Sequence, residues 1–139
     1  MYDVINKTWS EGPRLNDKRS RHSCIVDERK RTIHVMSGLN NFGFMATTEK
    51  WIFGSSSWEY GNNLPQYTYQ AAAISSNSDA YVGFLAGGQT TPGASSKVWG
   101  LRRRDEEWIE IGSRNLDVAR TDHSLIIIPG DRGDQITGC

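Results

Sequence analysis

Two adjacent pairs, His22-Ser23 and His123-Ser124, bring together a base and a hydroxyl, the residue types of nucleophilic catalysis. Both fall in short β-forming runs, where neighbouring side chains point to opposite faces, so neither histidine can activate its own serine. His22 and Cys24 share a face, and His34 could join them as metal ligands. No fourth ligand is specified, however, and the spacing matches no zinc pattern. Gly83, Gly87 and Gly88 have neither the spacing nor the following helix of a phosphate-binding loop. These residues point to no enzyme activity, no cofactor and no metal. Arg132-Gly133-Asp134 is an RGD tripeptide that would matter only outside the cell. The basic runs Arg29-Lys30-Arg31 and Arg102-Arg103-Arg104 read as solvated turns, the second abutting Asp105-Glu106-Glu107.

Composition narrows the class. The chain has 139 residues, with 16 basic and 16 acidic side chains and no formal net charge. That balance argues against a domain that coats nucleic acid or an anionic membrane. Fourteen glycines among many β-formers imply numerous tight turns. No apolar run approaches the ~18 residues of a membrane span, and the first residues carry no signal-peptide pattern. Two cysteines, Cys24 and Cys139, make no disulfide framework, which favours a reducing, cytoplasmic compartment. Cys24 reads as a small core residue within Cys24-Ile25-Val26.

The elements that position these residues repeat. Trp9, Trp58 and Trp108 are 49 and 50 residues apart. Leu15, Leu64 and Leu116 follow them at offsets of 6, 6 and 8. Ser37-Gly38 and Gly87-Gly88 are 50 apart, each after a β-run. Trp51 and Trp99 are 48 apart, and His22-Ser23 and His123-Ser124 are 101 apart, with Gln70-Ala71 read as the middle copy. Each period divides into four short strands. Strand one covers 22–26, 70–74 and 123–128. Strand two covers 33–36 and 81–86, strand three 47–53 and 97–101, and strand four 57–60 and 107–111. Turn residues separate them.

A period near ~50 is that of kelch repeats, and the chain resembles that family over about residues 1–129. The resemblance rests on the paired glycine ending strand two, the aromatic in strand three and the tryptophan about 20 residues after the glycines. Arg21-His22, and Arg120 with His123, look like the basic-plus-histidine opening of strand one. Ser37 in place of a first glycine, and Tyr69-Gln70 in place of Arg-His, depart from the pattern. The resemblance implies an all-β chain of kelch-type propeller blades. Repeats at about 21–60 and 69–111 form two complete four-stranded blades. Strands within 1–11 and 123–128 belong to partial flanking blades, and 130–139 is a polar C-terminal tail with no second strand.

Propellers close with four to eight blades, so this ring is incomplete. The expectation is a C-terminal portion of a longer propeller, with the remaining blades in a missing N-terminal portion. The alternative is self-assembly, for instance three copies making a ring. The resemblance places ligands at the loops joining strand four to strand one and strand two to strand three. It makes Arg21 and Arg120 the leading contact positions for a protein partner, with Arg19 and Tyr69 next. His22 and His123 are expected to orient the inner strands by hydrogen bonds. The implied function is non-catalytic protein recognition, as a ubiquitin-ligase substrate receptor or cytoskeletal adaptor. The competing reading is a fragment of a propeller-based enzyme, a kelch-type oxidase or glycan-processing enzyme.

Overall fold

The computed structural model describes residues 1–128 and 135–138. Alternating apolar residues and turn signals every few residues produce strands and hairpins, with one single-turn 3-10 segment at Gly112–Arg114. A hairpin opens the chain, β1 (Tyr2–Asp3) with β2 (Thr8–Trp9). The first repeat contains β3 (Ser23–Asp27), β4 (Thr32–Met36), a small hairpin of β5 (Leu39–Asn40) and β6 (Gly43–Phe44), then β7 (Thr48–Ile52) and β8 (Glu59–Tyr60). The second contains β9 (Ala72–Ser75), β10 (Tyr81–Ala86), the small hairpin β11 (Gln89–Thr90) and β12 (Gly93–Ala94), then β13 (Val98–Arg102) and β14 (Trp108–Glu110). β15 (Leu125–Ile128) and β16 (Gln135–Gly138) pair at the end. Two antiparallel four-stranded sheets result, β3-β4-β7-β8 and β9-β10-β13-β14. They are blades of an all-β propeller whose ring is not closed.

β16 corrects one expectation. The segment read as a featureless tail contributes a strand, in register from Leu125↔Gly138 to Ile128↔Gln135. The RGD tripeptide and Cys139 lie outside the described residues.

The blades stack face to face. Along β3 the buried positions are Ser23, Ile25 and Asp27, while Cys24 and Val26 are exposed. The buried set faces β9 and β10 of the next blade, where Ile25, Met36, Leu64, Val82, Leu85, Trp99, Leu101 and Trp108 form one apolar core. Full burial of one such aliphatic side chain stabilises by ~1.5–3 kcal/mol. A second core of Ala72, Ala86, Val98 and Leu125 joins the second blade to β15. Cys24 is therefore not a core residue: strict alternation turns it to the side away from the second blade.

Backbone hydrogen bonds define the repeat register. Arg21, Gln70 and Asp122 all adopt left-handed φ, at 52°, 55° and 53°. The Gln70 amide donates to the Arg21 carbonyl (3.0 Å), and the Asp122 amide to the Gln70 carbonyl (3.1 Å). The middle counterpart of His22-Ser23 is thus Ala71-Ala72, one residue later than Gln70-Ala71. The Gly38 amide donates to Thr68 and the Gly88 amide to Arg120, both at 2.9 Å, so Arg120 corresponds to Thr68 and Arg19, not to Arg21. Trp51 and Trp99 are not equivalents either. Trp51 pairs with Ile33, whereas Trp99 pairs with Leu85 and occupies the place of Glu49. Ser37, where the second repeat has Gly87, takes the same left-handed turn, φ 60° against 64°.

The two basic runs lie in turns at the end of the blades opposite the strand four-to-one loops, and they are not simply solvated. Arg103 donates to Asp27 Oδ1 (2.7 Å) and to the carbonyls of Ser76, Ser78 and Tyr81. Lys30 and Lys50 both reach Glu106, at 2.8 and 2.9 Å. These contacts tie the first blade to the second by charge as well as by apolar burial.

Candidate binding face

Tight turns bring two kinds of loop to one end of the blades. Isolated antiparallel bridges, Ser20↔Leu39 and Tyr69↔Gln89, fasten each strand four-to-one loop to the small hairpin of its own repeat. Gly88 makes the second junction possible. With φ at +92°, an added Cβ there would lie 2.8 Å from Ala71 Cβ and 2.9 Å from the Tyr69 carbonyl. A side chain would push the loop and the inner strand apart.

The four expected contact residues separate into different roles. Arg19 is buried, and its guanidinium is consumed internally. Nη1 donates to the carbonyls of Ser37 and Thr47 (both 2.9 Å), and Nη2 to Thr47 Oγ1 (3.1 Å) and Glu49 Oε1 (2.9 Å). Glu49 is also fully buried and accepts the amides of Asn16 (2.6 Å) and Asp17 (3.1 Å). A buried carboxylate needs a counter-charge, and Arg19 supplies it, so Arg19 shapes the loop and does not present itself to a partner. In the second repeat the same two places hold Thr68 and Trp99, an apolar solution to the same packing problem.

Arg21 is exposed. Its guanidinium carbon sits 5.9 Å from the ring centroid of Tyr69, within the range of a cation–π contact. Tyr69 in turn packs on Phe44, centroids 4.7 Å apart. Arg21, Tyr69 and Phe44 thus form one continuous cluster. Arg120 is half-buried on the following loop. Its amide donates to Ser95, its carbonyl accepts from Gly88, and its Nε reaches its own loop at Val118 (3.2 Å). The structure brings Arg21 and Tyr69 together and gives Arg120 a loop-bracing part.

Phe42 is the residue that the repeat pattern underweighted. It sits at the tip of the β5–β6 hairpin and is 98% exposed. The open turn at Gly43, φ +124°, lets Phe42 and Phe44 project from the same two-strand ribbon. Phe-Gly-Phe inside a predicted tight turn is the local signal for it, since the corresponding positions of the second repeat are Pro92 and Ala94. Beside Phe42 runs a shallow groove of about 480 Å³, lined by Asn16, Asp17, Lys18, Ser20 and Asn40 among others.

The two histidines differ: His22 hydrogen-bonds the backbone of Arg19, whereas His123 does not orient its strand in the expected way. His123 lies against Gly87, and both of its ring nitrogens are buried without a hydrogen-bond partner. Burial pushes its pKa below the usual range, with nearby Arg120 acting the same way. His22 is likewise lowered, by burial first and then by Arg19. Both favour the neutral ring. His34 is the register partner of Ile25 and is buried between the blades, whereas Cys24 faces the opposite side. Among the described residues, no group of three or more His, Cys, Asp or Glu side chains is placed to hold a metal ion. Also among the described residues, no helix is long and apolar enough to cross a membrane.

No family model matches this chain, and no curated protein matches it in sequence.

Proposed function

We propose that this chain is part of a kelch-like β-propeller that recognises a protein partner through its strand four-to-one and two-to-three loops, without catalysing a reaction. The observation that carries the reading is the Arg21–Tyr69–Phe44 cluster, with Arg21 and Phe44 exposed and Tyr69 half-buried between them, and the exposed Phe42 beside it. Arginine and aromatic side chains are enriched in protein interfaces, the aromatic rings because they bury large areas at little rotamer cost and arginine because its planar guanidinium stacks on rings while hydrogen-bonding at its edge. The adjoining groove would seat a side chain of the partner next to Phe42. Support for the kelch-like ring comes from the 50-residue repeat, its paired turn at Ser37-Gly38 and Gly87-Gly88, and the blade tryptophans. In a cell this module would act as the receptor part of a ubiquitin ligase or as a cytoskeletal adaptor. The scarcity of cysteine fits a cytoplasmic setting.

The test is comparative affinity capture by mass spectrometry with wild-type protein, Phe42→Asp, Arg21→Ala and Arg104→Ala, all at unchanged circular dichroism. Arg104 lies at the other end of the blades and serves as control. The same proteins should disappear from both the Phe42 and the Arg21 captures and persist with Arg104→Ala. Identical capture by all four proteins would refute the assignment of this face.

A further inference from the structure

The loop face holds few charges, and its acids are spent inside it. The strand four-to-one loop at 61–69 and the two-to-three segments 37–46 and 87–96 contain no Asp, Glu, Lys or Arg. The charge around the Arg21–Tyr69–Phe44 cluster therefore comes from the loop at 13–21. The one acid of that loop, Asp17, accepts from the Tyr60 hydroxyl (3.3 Å) and Thr47 Oγ1 (3.4 Å) and lies 3.6 Å from the Arg19 guanidinium. Glu49 below it is fully buried and engaged by Arg19 and two backbone amides. Lys18 and Arg21 remain. Both are exposed, and neither has a carboxylate partner among the described residues.

These two cations have fixed places beside the aromatic hairpin. Lys18 lines the groove next to Phe42. Arg21 lies against Tyr69, which packs on Phe44. Each unpaired positive charge thus has an aromatic ring of the β5–β6 hairpin within reach. Between them, Ser20 and Leu39 exchange two backbone hydrogen bonds of 2.9 Å, which hold the loop to the hairpin. Lys18 and Arg21 are three residues apart, so their Cα atoms are at most ~10 Å apart. In an extended peptide, side chains two or three residues apart are separated by ~7–10 Å.

We infer that the partner segment is an acidic peptide, extended, with two carboxylate side chains two or three residues apart and an apolar side chain between them. This rests on the reading of the loop face as a protein-binding surface and adds the chemistry of what that surface takes. One carboxylate meets Lys18. The other meets Arg21, whose side chain donates no hydrogen bond among the described residues, so its fork of donors is open to a bidentate carboxylate. The apolar side chain packs on Phe42 and Phe44. A basic segment would be repelled, and a neutral one would desolvate both cations without a counter-charge. A nucleic acid fits less well. Its phosphates need a continuous basic track, whereas the loop at 61–69 is uncharged and the next one carries Asp117 and Asp122, the latter accepting from Gln70 at 2.7 Å.

The experiment is fluorescence anisotropy on the full 139-residue chain with labelled polymers: a glutamate–tyrosine copolymer, a lysine–tyrosine copolymer and single-stranded oligo(dT). The glutamate–tyrosine copolymer should bind, more weakly as salt is raised, and the other two should not. Lys18→Glu/Arg21→Glu should weaken that binding by ~10-fold or more, because like charges then face each other. Arg29→Glu/Arg104→Glu makes the same change in net charge at the opposite end of the blades and should bind as wild type does. If the loop variant fails to fold, Lys18→Gln, at a side chain with no ion pair to lose, repeats the measurement. Failure to bind the glutamate–tyrosine copolymer overturns the proposal. So does equal or tighter binding of the lysine–tyrosine copolymer or of oligo(dT), or an equal loss in the two double variants. Should any of these occur while Phe42→Asp and Arg21→Ala still lose the same captured proteins, the acidic chemistry fails and the binding face stands.

Discussion

Arg103 is the sharpest test of how the blades hold together. Its side chain is 12% exposed, and its partner Asp27 is 1% exposed. Asp27 Oδ1 also accepts the amides of Arg29 (3.1 Å) and Lys30 (3.3 Å), while Oδ2 has no partner. Replacing Arg103 by Met keeps much of the volume but strands a buried carboxylate and the carbonyls of Ser76, Ser78 and Tyr81. Breaking a buried pair from one side costs ~3–5 kcal/mol, because the remaining charge is uncompensated. With a urea m-value of ~2 kcal/mol/M, the unfolding midpoint should fall by about 1.5–2.5 M at unchanged m. Asp27→Asn keeps the amide-accepting oxygen and removes the charge, so Asp27→Asn/Arg103→Met should be more stable than Arg103→Met alone. Arg104, in the same basic run, is 74% exposed and, among the described residues, pairs with Asp105 alone. Arg104→Ala should stay within ~0.5 kcal/mol of wild type. Urea titration of the four proteins decides the matter. If Arg103→Met costs no more than Arg104→Ala, the run is the solvated turn that its charge pattern implies, and the inter-blade staple is refuted.

Three further outcomes follow from the same interface and its turns. Burial raises the Glu106 pKa, but hydrogen bonds from Lys30 and Lys50 outweigh it and bring the group from its ordinary 4.5 to about 2. A depressed carboxylate contributes stability above its unfolded pKa and loses it as pH falls, so thermal stability should drop between about pH 4.5 and 2. Glu106→Gln should flatten that drop, and melting curves across the window would show whether it does. His34 is held below its usual 6.5 by burial, despite Glu106 and Asp27 nearby, with Lys50 and Lys30 acting with the burial. The unfolded chain therefore takes up a proton first, and stability should decline as pH falls below 6.5; His34→Phe, the residue type found at the matching Phe84, should remove this component in pH-dependent urea titrations. Gly88→Ala meets both a φ of +92° and neighbouring atoms, whereas Gly54→Ala meets φ +97° with nothing within 4 Å. Calorimetry should find the second near the ~1 kcal/mol of left-handed strain and the first clearly larger.

Much of the architecture is legible along the chain. The strand limits read from alternation and turn residues agree with the observed ones to within two residues, the inner-strand starts at 70 and 123 falling two residues early. The Leu64–Leu116 correspondence also survives: their amides donate to Ala46 and Ser96, corresponding positions of successive repeats. The candidate site is less legible. Arg19 and Arg21 are two residues apart in one basic loop, yet one is buried and the other is exposed. The difference lies in Glu49, thirty residues away, which draws the guanidinium of Arg19 inward.

What the sequence determined by itself is the period, the order of strands and the places where the backbone must turn. These depend on neighbouring residues: alternation selects faces, and Gly, Asn, Ser or Pro permits the turn. The tertiary structure alone decided which residues correspond between repeats, which arginines are spent internally and which side of β3 lies open. Trp51 and Trp99 match by spacing but not by register, because register is fixed by hydrogen bonds to another strand. Arg103 finds Asp27 across 76 residues. Such pairings form only when distant segments are brought face to face. A local pattern contains the charges and the turns but not the partner that neutralises them.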